Sequence, residues 1–162
     1  MIKYIVLLSL LTIKIHIVAQ EQHLYNPNID GKQQLFNAIS EAQKTQKHIL
    51  VQVGGNWCPW CIKFHNFITK VASVDSIIKA NYVYVPFNYS RENKNIEVLK
   101  QLEYPQRFGF PILVILDKSG KRIHTQDSGL LEKGNDYDTA KVVTFLKQWS
   151  PQALNPANYD KN

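Results

Sequence analysis

The sequence predicts an α/β domain, a mixed sheet of about four strands with helices on both faces. Three observations predict it. Amphipathic helical stretches alternate with short runs of β-branched and aliphatic residues. The resulting strand–helix–strand order favours a parallel pair. Later, Asp117-Lys118-Ser119-Gly120 between two apolar runs is a turn of hairpin type, which adds antiparallel neighbours. The 162 residues suffice for one domain with a proper core, and 44% hydrophobic with 20% charged residues is the balance of a folded chain.

Residues 1–19 read as a secretory signal peptide. Lys3 supplies the positive charge, Ile5 to Ile13 is an apolar run broken by Ser9 and Thr12, and Ile17-Val18-Ala19-Gln20 offers a small residue for cleavage. Lys14 and His16 interrupt the run before it reaches the ~20 residues a membrane span needs. The mature protein is therefore expected to be exported, periplasmic or extracellular, with membrane contact only through an uncleaved leader. Residues 20–150 form the expected domain, and 151–162, with Pro151 and Pro156, a weakly ordered tail.

Within the domain, residues 20–29 are polar and read as an extended lead-in. Asp30 with Gln33 resembles a capping box, followed by Leu35, Phe36, Ile39 and Ala42 at helical spacing to about Lys47. His48 to Gly54 is a buried strand. Pro59 opens a helix carrying Phe64, Phe67, Ile68 and Val71, and Ser73-Val74-Asp75 marks a bend before Ile77 and Ile78. Tyr82 to Phe87 alternates as a strand, and Pro86, which cannot donate to a ladder, places it at a sheet edge. Asn88 to Asn95 is a loop, and Ile96, Leu99 and Leu102 mark a short helix. Pro111 to Leu116 and Arg122 to Gln126 are the hairpin strands, Asp127 to Asn135 an irregular loop, and Asp138 to Trp149 a final helix with Val142, Val143, Phe145, Leu146 and Trp149 inward.

The only two cysteines stand in Trp57-Cys58-Pro59-Trp60-Cys61, between a buried strand and a helix. A bridge closing so short a loop restrains the unfolded chain weakly, so a structural staple explains the pair poorly and a reactive dithiol explains it well.

Over roughly residues 31–149 the chain resembles the thioredoxin superfamily, in particular the exported thioredoxin-like proteins of bacteria. The dithiol motif after a strand, Gly109-Phe110-Pro111 opening a later strand, Leu116 to Gly120 after it and the order of elements carry the resemblance. It implies a thioredoxin-like fold and a cis-Pro111 beside the dithiol, leaving the Phe110 backbone free to pair with an extended substrate. At the start of a helix Cys58 is the expected nucleophile, because unpaired N–H groups and the helix dipole favour a thiolate there. Cys61, one turn in, is the expected resolving thiol. Pro59, Trp57 and Trp60 complete the expected substrate surface. Core packing beneath the loop competes with a direct role for Trp57, and Trp60 is the stronger candidate for an exposed contact. One departure matters: where thioredoxins bury an acid on the strand before the dithiol, this chain has Gln52.

The expected activity is thiol–disulfide exchange with protein or small-molecule thiols and disulfides, or with a redox partner protein, needing no cofactor and no metal. Rival readings are weaker. A zinc site from Cys58, Cys61, His65 and His48 or His124 lacks ligand spacing between its histidines. Covalent haem attachment is excluded because Ile62, not His, follows Cys61. No glutathione-binding set stands out. A thioredoxin-fold binding module without turnover is the alternative, set against an intact dithiol. The formal net charge is +6; with Lys3 and Lys14 gone, 19 basic residues become 17 against 13 acidic, or +4. These charges are scattered, densest at Lys118, Lys121 and Arg122 around a turn, which is no nucleic-acid footprint.

Overall fold

The computed structural model describes residues 23–160, so the expected signal peptide lies outside the described residues. The elements run α1 (Gly31–Thr45), β1 (His48–Gly54), α2 (Pro59–Lys70), α3 (Ala72–Asn81), β2 (Tyr82–Asn88), α4 (Ile96–Gln101), β3 (Ile112–Leu116), β4 (Arg122–Asp127), β5 (Glu132–Lys133), β6 (Asp136–Tyr137) and α5 (Thr139–Gln148). The main sheet has the order β2-β1-β3-β4. β1 is parallel to β2 and antiparallel to β3, and β3 is antiparallel to β4, so the sheet is mixed as expected.

The period-2 alternation of β1 sorts its side chains to two faces. Ile49, Val51 and Val53 pack with α1 and α4 through Leu35, Ala38, Val98 and Leu99. Leu50 points the other way, into a layer built by Phe64 and Ile68 of α2, Val74 and Ile78 of α3, and Val142, Phe145 and Leu146 of α5. Gln52 shares that second face, toward α2. All seven residues of β1 are buried, which explains its near-continuous apolar run. Burying a large aliphatic or aromatic side chain contributes about 1.5–3 kcal/mol each, and both layers meet on this one strand.

β2 is an edge strand, and Pro86 sits on it without costing a ladder bond that a central strand would need. The β3–β4 turn closes with Gly120 at φ 87°, a left-handed conformation, while Asp117 Oδ1 accepts from the backbone N–H of Ser119 (2.8 Å) and Lys121 (3.0 Å).

Several local expectations are corrected. Asp30 caps α1 by accepting from Lys32 N (2.8 Å), but the Gln33 amide donates to Asn37 Oδ1 (2.9 Å) rather than reaching back, so the capping box is half formed. Phe36 is 65% exposed; the helix turns Leu35, Ala38 and Ala42 inward instead. Residues 73–75 are already inside α3, and the break falls at Val71, whose extended backbone (φ −84°, ψ 102°) separates α2 from α3. The loop after Asp127 is ordered by a 3-10 turn at Ser128–Leu131 and by the two-residue ladder of β5 with β6. From residue 23 onward the lead-in is bent rather than extended, and it buries Tyr25 completely. Beyond these corrections, the described residues 151–160 follow α5 as turns and a 3-10 stretch at Pro156–Asn158, where the Tyr159 hydroxyl donates to Ala153 O (2.7 Å).

Candidate active site

The site forms where β1 ends and α2 begins. The chain turns at Gly55, with Cys58 N–H donating to Gly55 O (3.0 Å). Cys58 then becomes the N-cap of α2, its backbone extended (φ −103°, ψ 104°) and its Sγ accepting from Cys61 N–H at 3.2 Å. Pro59 follows at the first helical position, where its missing N–H has no helical partner to lose. A sulfur thus occupies the capping place usually held by an oxygen, among the unpaired N–H groups of a helix start.

Cys58 and Cys61 are joined by a disulfide with a Cα separation of 5.2 Å, within the ordinary range. Cys58 is 4% exposed and Cys61 is fully buried. Beside them the Phe110–Pro111 peptide bond is cis, and Pro111 is buried. Phe110 precedes the first ladder pair of β3, Ile112 with Asp127, so its backbone lies outside the sheet's hydrogen-bond ladder. Its ring stacks on Tyr89 (centroids 5.0 Å) and meets Trp57 edge-on (5.1 Å).

Of the two tryptophans, Trp57 is the exposed one, and Trp60, the stronger candidate for an exposed contact, is not. Trp57 is 53% exposed, held by its Nε1–H donating to Tyr89 O (2.7 Å), and it walls a cleft of about 490 Å³ shared with Pro27, Asn56, Arg91 and Lys94. Trp60 is partly buried, packed edge-on against Tyr137 (5.5 Å) with Lys63 Nζ 4.2 Å above its ring. Pro59 is exposed at the rim. Spacing in sequence could not separate these two rings, because the choice depends on Tyr137 of β6, a two-residue strand between the expected loop and the final helix.

Gln52 is fully buried, and its amide is satisfied at both ends. Nε2 donates to Cys61 O (2.9 Å) and to the Tyr25 hydroxyl (2.5 Å), and Oε1 accepts from the Tyr84 hydroxyl (2.6 Å). Because a backbone carbonyl only accepts, the Cys61 contact settles which end of the amide is nitrogen. Tyr84 then spends its proton on Gln52, so His65 Nδ1, 3.2 Å away, is the donor to Tyr84. Burial raises the pKa of both Tyr25 and Tyr84, so both stay protonated at neutral pH.

Tyr25 is the residue the sequence reading missed. It packs against Cys58 and Cys61, and Asn56 ties it down by accepting from its N–H (3.0 Å) and donating to its carbonyl (2.7 Å). The signal available was Leu24-Tyr25, an apolar pair inside a polar lead-in. Gly54, the last residue of β1, is where both close on the sheet: a Cβ there would lie 2.5 Å from Cys61 Sγ and 2.9 Å from the Tyr25 hydroxyl.

The histidines of the rival zinc reading do not converge on the cysteines. His48 Nδ1 lies 2.8 Å from Trp149 O, and His124 stacks on the Trp149 ring (4.2 Å), at the opposite end of β1 from the dithiol. Among the described residues no group of three or more metal-ligating side chains gathers anywhere.

His65 carries a pH prediction. Burial holds its imidazole below the usual range, so the fold favours the neutral ring while the unfolded chain takes up a proton first. Its stabilising share is complete above a pH of about 6.5 and is lost as pH falls through the lower folded value. Urea midpoints should therefore fall on acidification below that point, and His65→Gln should remove part of the fall; an unchanged slope would dismiss His65 as its source.

The family described as thioredoxin-like domain matches residues 35–138. No curated protein matches the chain. Among solved structures, a disulphide isomerase from Xylella fastidiosa Temecula1 superposes with a TM-score of 0.68 at 21% identity, covering 77% of this chain and 95% of its own. A structure described as DsbH oxidoreductase gives a TM-score of 0.54 at 24% identity, covering 73% of this chain and 81% of its own. At these identities the likeness is one of fold, while the family match spans the strand, the dithiol and Pro111 together. With its two cysteines bonded at the head of α2, the chain belongs to the thioredoxin-like family and is a thiol–disulfide oxidoreductase.

Proposed function

We propose that this protein is exported and exchanges disulfides with thiols and disulfides of other exported proteins or of a redox partner, Cys58 acting as nucleophile and Cys61 as resolving thiol. The observation that carries the assignment of roles is the position of Cys58 Sγ at the N-cap of α2 with Cys61 fully buried one turn behind it. The helix start favours negative charge on the outer sulfur and burial disfavours it on the inner one. An incoming disulfide meets Cys58 first, and the mixed disulfide is resolved from behind.

The substrate surface has a consistent chemistry. Phe110, outside the ladder beside cis-Pro111, offers backbone to an extended segment. Exposed Trp57 and the cleft beside it supply an apolar wall with Arg91 and Lys94 at its rim. Export rests on the leader-like residues 1–19. Among the described residues no helix is long and apolar enough to cross a membrane.

The direction of exchange follows from the potential of the pair against its compartment. Equilibrating the protein in glutathione buffers of graded ratio and reading the Cys58–Cys61 state by thiol labelling is the test. A reversible two-electron transition within the buffer range, with turnover of a model protein disulfide, is expected. A pair that stays oxidised across the whole range and turns over nothing would make the protein a binding module.

A further inference from the structure

We propose that Tyr25 is a hydrogen-bond donor to the Cys61 thiolate and takes over, without charge, the place of a buried acid beside the resolving sulfur. The inference rests on Cys61 as the resolving thiol.

Counting protons leads to it. Gln52 Nε2 donates to the Tyr25 oxygen, so the hydroxyl accepts there and keeps its own proton for another acceptor. Tyr25 is fully buried, so that proton has no access to solvent, and a buried donor without an acceptor is costly. The hydroxyl faces the space that Gly54 leaves open, and Cys61 Sγ faces the same space. In the disulfide that sulfur is a weak acceptor. Once the bond opens, Cys61 becomes the one site there that can carry negative charge, and a charged acceptor draws a hydrogen bond about twice as strong as a neutral one.

The surroundings leave this task to Tyr25. Gln52 is committed to Cys61 O and to two tyrosines and offers nothing to the sulfur. Tyr84 donates to Gln52, and His65 reaches only Tyr84. Tyr137 points its hydroxyl at Trp60 O, at 3.4 Å. Lys63 lies above Trp60 and donates to Asn135 O. Tyr25, Tyr84 and Tyr137 are all kept protonated by burial, so Tyr25 acts as a donor and not as a base.

The resolving step then balances. The Cys61 proton leaves to water, and the thiolate, held by the Tyr25 O–H, attacks Cys58 Sγ. The Cys58–Cys61 bond forms as the bond from Cys58 to the substrate sulfur breaks. The electron pair departs on the substrate sulfur, which takes up a proton, so the cysteine pair is oxidised and the substrate disulfide reduced. Tyr25 keeps its proton throughout.

The test reads Cys61 alone, in Cys58→Ser protein, by following its Cβ carbon resonance against pH with and without Tyr25→Phe. Loss of the hydroxyl should raise the Cys61 titration by about one pH unit, roughly a tenfold smaller thiolate fraction at a given pH. With Cys58 restored, Tyr25→Phe should slow release of a mixed disulfide about tenfold near neutrality, with its pH profile moved to the alkaline side. An unchanged Cys61 titration in folded Tyr25→Phe protein overturns the proposal, even if exchange activity itself persists. In case that variant does not fold, the Tyr25 Cζ resonance of reduced Cys58→Ser protein should move at the pH where Cys61 titrates; a Cζ signal that stays still overturns it equally.

Discussion

Cys58→Ser is expected to abolish disulfide exchange, a loss of several orders of magnitude, whereas Cys61→Ser should capture substrates as stable mixed disulfides. The asymmetry follows from position. Cys58 is the N-cap sulfur, 4% exposed, with the rim of Pro59 and Trp57 around it, and it is the only one of the pair an incoming disulfide can reach. A serine oxygen there would cap α2 at least as well, since Ser is a preferred N-cap residue, so the fold survives while the nucleophile is gone. Cys61 is sealed beneath it against Tyr25 and Gly54. Removing its sulfur leaves the first attack intact and deletes the second. Non-reducing gels of each variant incubated with a disulfide-bearing protein separate the two outcomes; adducts on Cys58→Ser, or full activity in it, would reverse the assigned roles.

Gly54→Ala is expected to be the most damaging small substitution. Its methyl would stand 2.5 Å from Cys61 Sγ, 2.9 Å from the Tyr25 hydroxyl and 3.2 Å from Cys61 Cβ. Neither neighbour can swing away, because Cys61 is pinned by α2 and by the disulfide, and Tyr25 is fully buried under the Asn56 clamp. Overpacking of this kind costs about 1–3 kcal/mol, readable as a lower urea midpoint. The reduced protein should suffer less, since a free Cys61 thiol can rotate. A preference for the reduced form raises the potential, by on the order of 20 mV for each kcal/mol of difference. Equal destabilisation of both redox states would show that the strain falls on Tyr25 and not on the sulfur.

Much of this was legible in the chain because it is local. β1 carries Ile49, Leu50, Val51 and Val53 in one short run, Pro86 announces an edge, and two cysteines beside a proline at a helix start leave little room for another chemistry. The errors fall where contacts are distant in sequence. Tyr25 is held by Asn56 and Gln52, 31 and 27 residues away, and nothing within its own polar segment reports that it will be buried. The relative exposure of Trp57 and Trp60 turns on Tyr89, just after β2, and on Tyr137 of β6. Phe36 sits at helical spacing yet on the outer side, because Leu35 and Ala38 already define the buried stripe. Gln52 was recognised as a departure, but the sequence could not show that two tyrosines and a backbone carbonyl would satisfy it.

The two borders of the main sheet have a bearing on the company this protein keeps. A catalyst of disulfide exchange meets chains that are incompletely folded and rich in unpaired strands, and an open sheet border is where such chains would graft themselves on. At one border, β2, Pro86 removes an N–H from the row that a grafted strand would use. At the other, β4 presents Arg122, His124, Gln126 and Asp127, with Arg122 paired to Glu103, and its register with β3 shifts at Leu116. Both borders are poor templates, so under the proposed function backbone pairing would be steered to Phe110, which packs beside the sulfurs. A client held there would leave once its disulfide had been exchanged, and the protein would escape co-aggregation with it.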